Sequence, residues 1–405
     1  MSDPLDSRYS WARLGLSLAI ATIGNVGMWS IVVVMPAVQA EFGITRGGAS
    51  LPYTLTMLGF ALGNLLIGRA VDRHGVAGVL AAAALVSGLG FLLAAASPSI
   101  TLLALAQFVV GLGAAAFFGP LIADISLWFR RQRGIAVAIA LSGNYLSGAI
   151  WPLLLSGVLT GQGWRMVYLL LALIVAGAVP PLSRTLRRRL PEASMSAEAQ
   201  ATGFAPRRTP YSPTLLIWLL ATAGVACCVA MAMPQVHIVA LCVDLGYGPA
   251  VGAEMLSLML FGGVVSRLVF GLLSDRLGGV ATLLIGSVLQ MLALILYIPS
   301  DGLAALYIVS FVFGLAQGGI VPAYAIIVRE YLPAREAGAR VGFVMMATIL
   351  GMALGGWMSG WIFDLSGSYL LAFANGILWN GLNIAIILMI WLRGRPGARE
   401  ARAAA

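Results

Sequence analysis

Residues 68–75 read GRAVDRHG, and residues 271–278 read GLLSDRLG. Both stretches begin and end with glycine and carry an Asp-Arg pair shortly before the second glycine, and they lie 203 positions apart. Two further pairs of segments share this offset: FVVGL at 108–112 with FVFGL at 311–315, and Glu41-Phe42-Gly43 with Asp244-Leu245-Gly246. Three separate matches at one offset, close to half the chain length, indicate that the chain is a duplicated unit.

The composition indicates what kind of protein contains this duplication. Of the 405 residues, 60% are hydrophobic and only 10% are charged, whereas about a quarter of the residues of an ordinary soluble domain carry charge. The apolar content excludes a disordered chain, the glycines follow no collagen period, and three cysteines are too few for a disulfide scaffold. The composition therefore predicts a protein that crosses a membrane several times.

Apolar runs of about 20 residues, the length of helix that crosses the hydrocarbon core, occur six times before residue 184 and six times after residue 212. We place them near residues 14–36, 50–70, 77–97, 101–123, 134–159, 166–183, 213–240, 250–272, 279–299, 303–328, 337–362 and 369–392. The sequence thus predicts an all-α membrane protein of twelve transmembrane helices in two pseudo-symmetric bundles of six. The N-terminal bundle is 1–183, the cytoplasmic linker is 184–212, and the C-terminal bundle with its basic tail is 213–405.

All 24 basic residues are arginines, and their distribution predicts the orientation of the spans. If both ends of the chain are cytoplasmic, 21 arginines fall on the cytoplasmic side, Arg46 and Arg165 fall outside, and Arg267 lies within a span. An excess of positive charge in cytoplasmic loops is the usual rule for membrane proteins. We therefore interpret the net charge of +9 as loop charge that sets the topology and attracts lipid headgroups, and we expect no nucleic-acid partner.

Motifs for catalysis or for holding a cofactor are absent from the sequence. It has no P-loop, no GxSxG, no HExxH and no CxxC, and no pair of carboxylates is placed for acid and base chemistry. We expect a protein that is not an enzyme, with no catalytic residue, no cofactor and no metal site. Because a nucleotide site is also lacking, the expected source of energy is a gradient of a solute or of protons.

Two six-span halves that carry GxxxDRxG between their second and third spans resemble the major facilitator superfamily. The basic residue that usually follows this motif is replaced by Val76 in the first copy and by Gly279 in the second. Glycine permits close helix approach and a tight turn, while the aspartate can sit at a helix N-terminus and the arginine can pair across the face. We interpret the motif as a latch on the cytoplasmic face. The latch residues are Gly68, Asp72, Arg73, Gly271, Asp275 and Arg276.

A narrower resemblance, to the bacterial branch of the monocarboxylate transporter family, covers both halves. It rests on four segments: WFRRQRGIAVAIALSGNYLSGAIWPLL at 128–154, MPAVQAEFGITRGGAS at 35–50, VHIVALCVDLGYG at 236–248 and SRLVFGLLSDRLG at 266–278. The resemblance implies a secondary transporter of the bacterial inner membrane with cytoplasmic termini. It also implies a small organic anion as cargo, such as a monocarboxylate, carried with a proton or exchanged for another anion.

Arg267 is the strongest candidate for the substrate site, because an arginine within a span costs roughly 3 kcal/mol on insertion scales. In the resembled family an arginine at this place binds the substrate carboxylate, with an acidic or amide partner one turn earlier, where this chain has Gly263. The other interpretation is that Arg267 reaches toward the cytoplasmic face or satisfies carbonyl groups at a helix end. Its counterpart under the 203-residue shift is Asn64, which either binds the substrate or packs.

Other polar residues within the spans are candidates because the resemblance places the cavity on spans 1, 2, 4, 5, 7, 8, 10 and 11. Each of them either lines that cavity, or makes hydrogen bonds between helices or simply packs. These candidates are Asn25, Asn144, Tyr145, Gln317 and Tyr324. His237, near the outer end of span 7, is a possible proton site. It either titrates near neutral pH and controls proton access, or it is held in place by hydrogen bonds.

Three functions remain open from the sequence. The first is transport of a small organic anion. The second is transport of a neutral or aromatic solute, such as a vitamin or an aromatic acid, since Gly263 breaks the proposed pair with Arg267. The third is a sensor or assembly factor that does not transport, although short loops offer such a protein little output surface. In each case we expect a monomer in the lipid bilayer whose partner is a small solute.

Overall fold

The computed structural model describes residues 5–188, 210–332 and 334–393. Within these ranges the chain is almost entirely helical and contains no strand. Most of the predicted linker, at 189–209, and the basic tail after residue 393 lie outside the described residues. The all-α fold predicted from the sequence is confirmed.

Ten helical stretches in the described ranges are long and apolar enough to cross a membrane. The α-helices are Arg8–Gly24, Val26–Phe42, Arg46–Ala95, Ile100–Ala114, Gly119–Trp128, Arg133–Arg184, Pro213–Asp244, Pro249–Leu277, Gly279–Tyr297, Leu303–Gln317, Ile320–Tyr331, Ala334–Ser366 and Leu370–Arg393. Short 3-10 turns are found at Ala115–Phe117 and Thr185–Arg187.

Two of these helices are twice the length of a span, and each contains a break at a glycine. Arg46–Ala95 has 50 residues and turns at Gly75, where φ is 73°. Arg133–Arg184 has 52 residues and turns at Gly163, where φ is 82°. A positive φ is unfavourable for a residue with a Cβ, so glycine makes both turns. When each of these two is counted as two spans, the ten membrane-crossing stretches become the twelve predicted spans. We number these spans 1 to 12 in chain order.

The duplication is visible in the packing of span 2 on span 4 and of span 8 on span 10. A Cβ on Gly111 would collide with the carbonyl oxygen of Thr56. At the 203-residue offset, a Cβ on Gly314 would collide with the carbonyl oxygen of Met259. A second contact repeats in the same way: Gly59 on Phe108 and Gly262 on Phe311. Glycine lets the backbones approach closely at these crossings, and the two halves therefore share one packing arrangement.

The two halves meet where span 5 packs on span 8 and where span 2 packs on span 11. Small residues permit both contacts. A Cβ on Gly148 of span 5 would collide with Leu260, and a Cβ on Gly356 of span 11 would lie 2.8 Å from the ring of Tyr53. The main apolar core includes residues of both halves, and two smaller apolar clusters lie beside it. A cavity interrupts their contact near the centre of the molecule, where residues of all four spans face it.

The spans run alternately between two faces of the molecule. The arginine-rich face carries the turn between spans 2 and 3 and holds Arg8, Arg73, Arg130, Arg276 and Arg393. The opposite face carries the turn between spans 1 and 2, from Phe42 to Arg46. We expect the arginine-rich face to be cytoplasmic.

Candidate functional site

A cavity of about 330 Å³ lies between the two halves. Its wall is formed by spans 1, 2, 4 and 5 of the N-terminal half and spans 7, 8, 10 and 11 of the C-terminal half. These are the eight spans on which the family resemblance places a cavity. Its volume lies in the range of known small-molecule pockets, so the cavity is the candidate substrate site.

The cavity opens toward the arginine-rich face. Its wall includes Leu65 of span 2 and Gly342 of span 11, both on the side of that face, and Leu65 is 55% exposed. Toward the opposite face the wall reaches Tyr53 and Gln235, both almost completely buried. In this conformation the cavity is therefore more accessible from the arginine-rich face than from the opposite face.

A cluster of charges closes the opposite face. The Arg46 guanidinium, on the N-terminal half, donates to Asp244 Oδ1 at 2.9 Å and to the Tyr369 hydroxyl at 2.7 Å. The backbone N–H groups of Arg46 and Gly47, at the N-terminus of span 2, each donate to the Asp364 carboxylate at 2.7 Å. A carboxylate is favoured at a helix N-terminus because it accepts from unpaired N–H groups and faces the positive end of the helix dipole. We name these five residues the Arg46 gate.

Every partner in the Arg46 gate comes from the C-terminal half, so the gate joins the two halves. Asp244 ends span 7, Asp364 lies near the end of span 11, and Tyr369 precedes span 12. Burial raises the pKa of the Tyr369 hydroxyl well above its ordinary value, so the hydroxyl stays protonated at neutral pH. Sequence analysis predicted only the outer location of Arg46. Two features of the sequence could have indicated the gate. Arg46 is one of two arginines predicted on that face, and aspartates lie near the ends of two spans of the other half.

His237 lies beneath the Arg46 gate and not in the wall of the cavity. Its Nε2 is 2.8 Å from the carbonyl oxygen of Gly356, and its Nδ1 is 3.1 Å from the Tyr369 hydroxyl. Because a carbonyl can only accept, Nε2 carries the hydrogen and Nδ1 accepts from Tyr369. The side chain is fully buried. This is the geometry of a histidine held by hydrogen bonds.

Arg267 is buried in the wall of the cavity and contacts both halves. Its Nε donates to the carbonyl oxygen of Gly318 at 3.2 Å, and its Nη1 donates to the carbonyl oxygen of Leu141 in span 5. Its guanidinium stacks on the Tyr145 ring, 4.0 Å from the centroid. Among the residues that the structure describes, no carboxylate pairs with Arg267 and none lines the cavity. Arg267 therefore satisfies two carbonyl groups and is also a buried cation at a cavity.

Gly263, one turn before Arg267, explains the missing acidic partner. A Cβ at this position would lie 3.1 Å from the Tyr145 ring, which is closer than an ordinary van der Waals contact. The ring therefore occupies the space that an acidic side chain would need. Tyr145 offers Arg267 an aromatic face instead of a carboxylate, and no described residue supplies a counter-charge to the guanidinium.

Asn64 and Asn144 also line the cavity. It therefore brings together four predicted site residues: Asn64, Asn144, Tyr145 and Arg267. Asn64 Nδ2 donates to the carbonyl oxygen of its own helix at 2.8 Å. Asn144 Oδ1 accepts from Trp29 Nε1 at 3.1 Å. Each amide uses one of its two ends in these bonds. The other ends, Asn64 Oδ1 and Asn144 Nδ2, bond to no residue that the structure describes.

Three predicted residues, Asn25, Gln317 and Tyr324, are not found in the described wall of the cavity. Asn25 donates to a carbonyl oxygen of span 4 at 3.1 Å. Gln317 accepts from Gln235 at 2.6 Å, and Tyr324 donates to Asn383 of span 12 at 2.8 Å. The structure thus places all three in the second of the two predicted roles, hydrogen bonding between helices.

Sequence analysis missed Trp29, Tyr53 and Gln235, which line the cavity. The Tyr53 hydroxyl is buried and has no hydrogen-bond partner in the described part of the chain. All three are polar or aromatic residues within the cavity spans 1, 2 and 7. A polar or aromatic residue within a cavity span could have indicated them, but residues that only pack between helices have the same feature.

The latch residues lie on the arginine-rich face, and their side chains are apart in this conformation. The four charged residues are exposed, and none makes an ion pair or hydrogen bond within the described ranges: Asp72, Arg73, Asp275 and Arg276. A Cβ on Gly68 or Gly271 would meet nothing within 4 Å. The described residues therefore do not form the expected close helix contact at these glycines in this conformation. The latch role stays a prediction for the closed conformation.

Labelling from each side of the membrane tests which face is open. Cys227, Cys228 and Cys242 are fully buried, but Cys228 lies in the cavity wall, so the reaction of the unaltered chain with a membrane-impermeant maleimide sets the background on each side. A Leu65→Cys variant should react from the arginine-rich face only. Ser50→Cys, buried beneath the Arg46 gate, is the matched control and should stay unreactive from both sides. Reaction of Leu65→Cys from the opposite face alone would contradict the assigned opening.

Comparison with known proteins agrees with this architecture. The sequence profile of the Major Facilitator Superfamily matches residues 18–253 and, a second time, residues 218–405. The chain is 27% identical to monocarboxylate transporter 13 of Rattus norvegicus, over 96% of this chain and 90% of that protein. It is 25% identical to the MFS transporter asaE of Aspergillus flavus, over 72% of this chain and 65% of that protein. Its fold is similar to that of a bacterial homologue of the human lysosomal transporter Spinster, which was solved in an inward-facing and occupied conformation. The TM-score is 0.69, the sequence identity is 15%, and the match covers 96% of each chain.

Proposed function

The chain belongs to the major facilitator superfamily, and from this premise we propose that it is a secondary active transporter of a small organic anion of the monocarboxylate kind. The observation that carries this proposal is Arg267, a buried cation in a cavity between the halves with no acidic partner among the described residues. A buried charge without a counter-charge is costly, and a carboxylate that enters the cavity supplies one. The name of the rat relative, monocarboxylate transporter 13, supports the same class of cargo.

The free donors of Arg267 suit a carboxylate. The guanidinium has five N–H groups in one plane, and two of them are used by the carbonyl oxygens of Gly318 and Leu141. A carboxylate can accept from the remaining N–H groups in charge-assisted hydrogen bonds. Asn144 Nδ2, on the residue next to Tyr145, is a further donor on the wall of the same cavity.

The two contacts between the halves, of span 5 with span 8 and of span 2 with span 11, support a mechanism of alternating access. In the present conformation the Arg46 gate is closed and the arginine-rich face is open. The other conformation requires the gate to break and the halves to rock about the contacts of span 5 with span 8 and of span 2 with span 11. Arg267 donates to Leu141 across the first of these contacts. A carboxylate that binds the guanidinium therefore lies at the contact between the halves.

The cavity favours anion exchange over proton symport as the coupling mode. No acidic residue and no histidine lines it in the described ranges, and His237 is buried beneath the Arg46 gate. A carboxylate held by a cation stays in its charged form, so it carries a proton poorly. Proton symport remains the second mode that we propose to test.

Uptake into proteoliposomes distinguishes the two modes, with labelled hexanoate and labelled lactate used in parallel. We expect uptake to need unlabelled substrate inside the vesicles, with little added by an imposed pH gradient. His237→Ala should behave in the same way, because the histidine is outside the cavity. Uptake driven by the pH gradient into vesicles without internal substrate would reject exchange. Its loss in His237→Ala would then assign proton transfer to that residue.

We also propose that the protein is a monomer in the inner membrane of a bacterial cell, with both ends cytoplasmic. The excess of arginine on one face supports this orientation. A sensor or assembly factor is the remaining alternative from another class. Such a protein would bind the solute but would not carry it into proteoliposomes, so the uptake experiment separates it from a transporter.

A further inference from the structure

We propose that the cavity selects carboxylates with an extended, largely apolar body, aromatic or aliphatic, over short hydroxylated acids such as lactate. This inference rests on the proposed function, because it takes Arg267 as the site that holds the carboxylate. It concerns the part of the solute that Arg267 does not touch.

Methionine dominates the wall of the cavity. Six of the chain's 16 methionines line it: Met28, Met57, Met231, Met345, Met346 and Met352. Methionine is flexible and polarisable, so it adapts to apolar bodies of different shape and makes favourable contacts with aromatic rings. Aromatic side chains from spans 1, 2, 4 and 5 complete this surface. Such a wall gains free energy by burying apolar solute surface.

Several polar side chains of the wall use part of their hydrogen-bonding capacity within the protein. The Thr348 hydroxyl donates to a carbonyl oxygen of its own helix at 2.7 Å, and Gln235 Nε2 donates to Gln317 at 2.6 Å. Asn144 and Asn64 each use one amide end in the same way. Among the described residues, the Tyr53 hydroxyl and one end of each amide stay free, but a solute hydroxyl placed against the methionines loses hydrogen bonds to water without regaining them, which is costly.

The charged part of the wall and most of its methionines belong to different spans. Arg267 is held against spans 5 and 10 by the carbonyl oxygens of Leu141 and Gly318 and by the Tyr145 ring. Four of the six methionines belong to spans 7 and 11. A carboxylate bound by Arg267 thus leaves the remainder of about 330 Å³ to the body of the solute. An acid as small as lactate would leave much of that apolar surface without a contact.

A series of acids tests the selection on the purified full chain by calorimetry. We expect affinity to rise about fourfold for each methylene added between acetate and hexanoate. Lactate should bind no better than propionate. Phenylacetate should bind roughly two- to tenfold more tightly than cyclohexylacetate because of sulfur–aromatic contacts. Hexanamide, which has the same apolar body but no charge, controls for partition into detergent.

Substitutions on span 11 connect the selection with the wall. Met352→Gln keeps the size of the side chain but adds polarity, and it should flatten the rise with chain length by weakening hexanoate binding more than acetate binding. Met358→Gln, on the same span but outside the described wall, is the matched control and should keep the rise. An unchanged rise in Met352→Gln would contradict the inference.

The outcomes separate this inference from the function on which it rests. If acids bind and hexanamide does not, but affinity is independent of chain length or highest for lactate, the selection is wrong and the anion transporter stands. If hexanamide binds as tightly as hexanoate, or if no acid binds, the proposed role of Arg267 fails and the selection fails with it.

Discussion

Replacing Arg267 with alanine or lysine is expected to abolish carboxylate uptake while the protein still inserts in the membrane. Truncating one partner of a buried, hydrogen-bonded charge pair costs about 2–5 kcal/mol, so binding should weaken by at least about 30-fold. Lysine keeps the charge but lacks the planar fork. It cannot donate to Leu141, to Gly318 and to a carboxylate with the guanidinium geometry.

The lysine variant separates the two interpretations of Arg267. If the arginine only satisfies carbonyl groups between spans, a lysine ammonium can donate to one of them and should retain much of the uptake. If it binds the solute, both variants lose uptake while the yield of folded protein stays the same. Arg165→Lys is the control, because Arg165 forms a partly exposed ion pair with Glu41 at 2.6 Å, away from the cavity. Uptake by Arg267→Ala at the unaltered rate would show that the site assignment is wrong.

The spans could be predicted from the sequence because a membrane helix is a long, continuous apolar run. The run predicted at 213–240 is the helix Pro213–Asp244, and the run at 279–299 is Gly279–Tyr297. The repeat could also be predicted, because the two copies of the glycine motif lie 203 residues apart in the sequence. The structure agrees, since Gly75 and Gly278 both have a positive φ. These features depend on local sequence alone, so no information about distant contacts is needed to find them.

The cavity residues were only partly predictable, because hydropathy does not reveal which face of a membrane helix points inward. Asn25 and Asn144 are both lone amides within apolar spans, yet Asn144 lines the cavity and Asn25 bonds to span 4. The clear exception is Arg267. Its charge is so costly in a span that its presence alone indicates a function, and the structure places it in the cavity wall.

The Arg46 gate could not be predicted because its partners are far apart in the sequence. Arg46 lies 198 residues from Asp244 and 318 residues from Asp364. Each of these residues lies at or near a helix end on the opposite face. Charged residues are common at such positions, so their presence in the sequence does not indicate a gate. Only the packing of the two halves brings them together, and that packing exists in one of the two conformations of the proposed transport cycle.

The second large effect is expected at this gate. Asp364→Asn should shift the protein toward the conformation that is open at the opposite face. The carboxylate accepts from the N–H groups of both Arg46 and Gly47, whereas an asparagine has one acceptor oxygen and presents a donor in place of the other. Loss of one charge-assisted bond is worth about 1.5–3 kcal/mol, which shifts a two-state equilibrium by roughly ten- to hundredfold.

Ser50→Cys reports the shift, because Ser50 lies one turn below Arg46 and is fully buried while the gate is closed. In the Asp364→Asn background it should become reactive to an impermeant maleimide from the opposite face. Arg46→Gln should have the same effect, since it removes the bonds to Asp244 and Tyr369. The two gate substitutions together should shift the equilibrium by less than the sum of the single effects, because both break one network.

A matched control on the same face isolates the gate from general loss of charge. Glu41→Gln breaks the ion pair with Arg165, but both residues belong to the N-terminal half, so this pair does not hold the halves together. Labelling of Ser50→Cys should therefore stay at the background rate in Glu41→Gln. If Ser50→Cys is equally unreactive in all three backgrounds, the Arg46 cluster is only a set of helix caps, and closure of the opposite face must come from the apolar packing of span 2 on span 11.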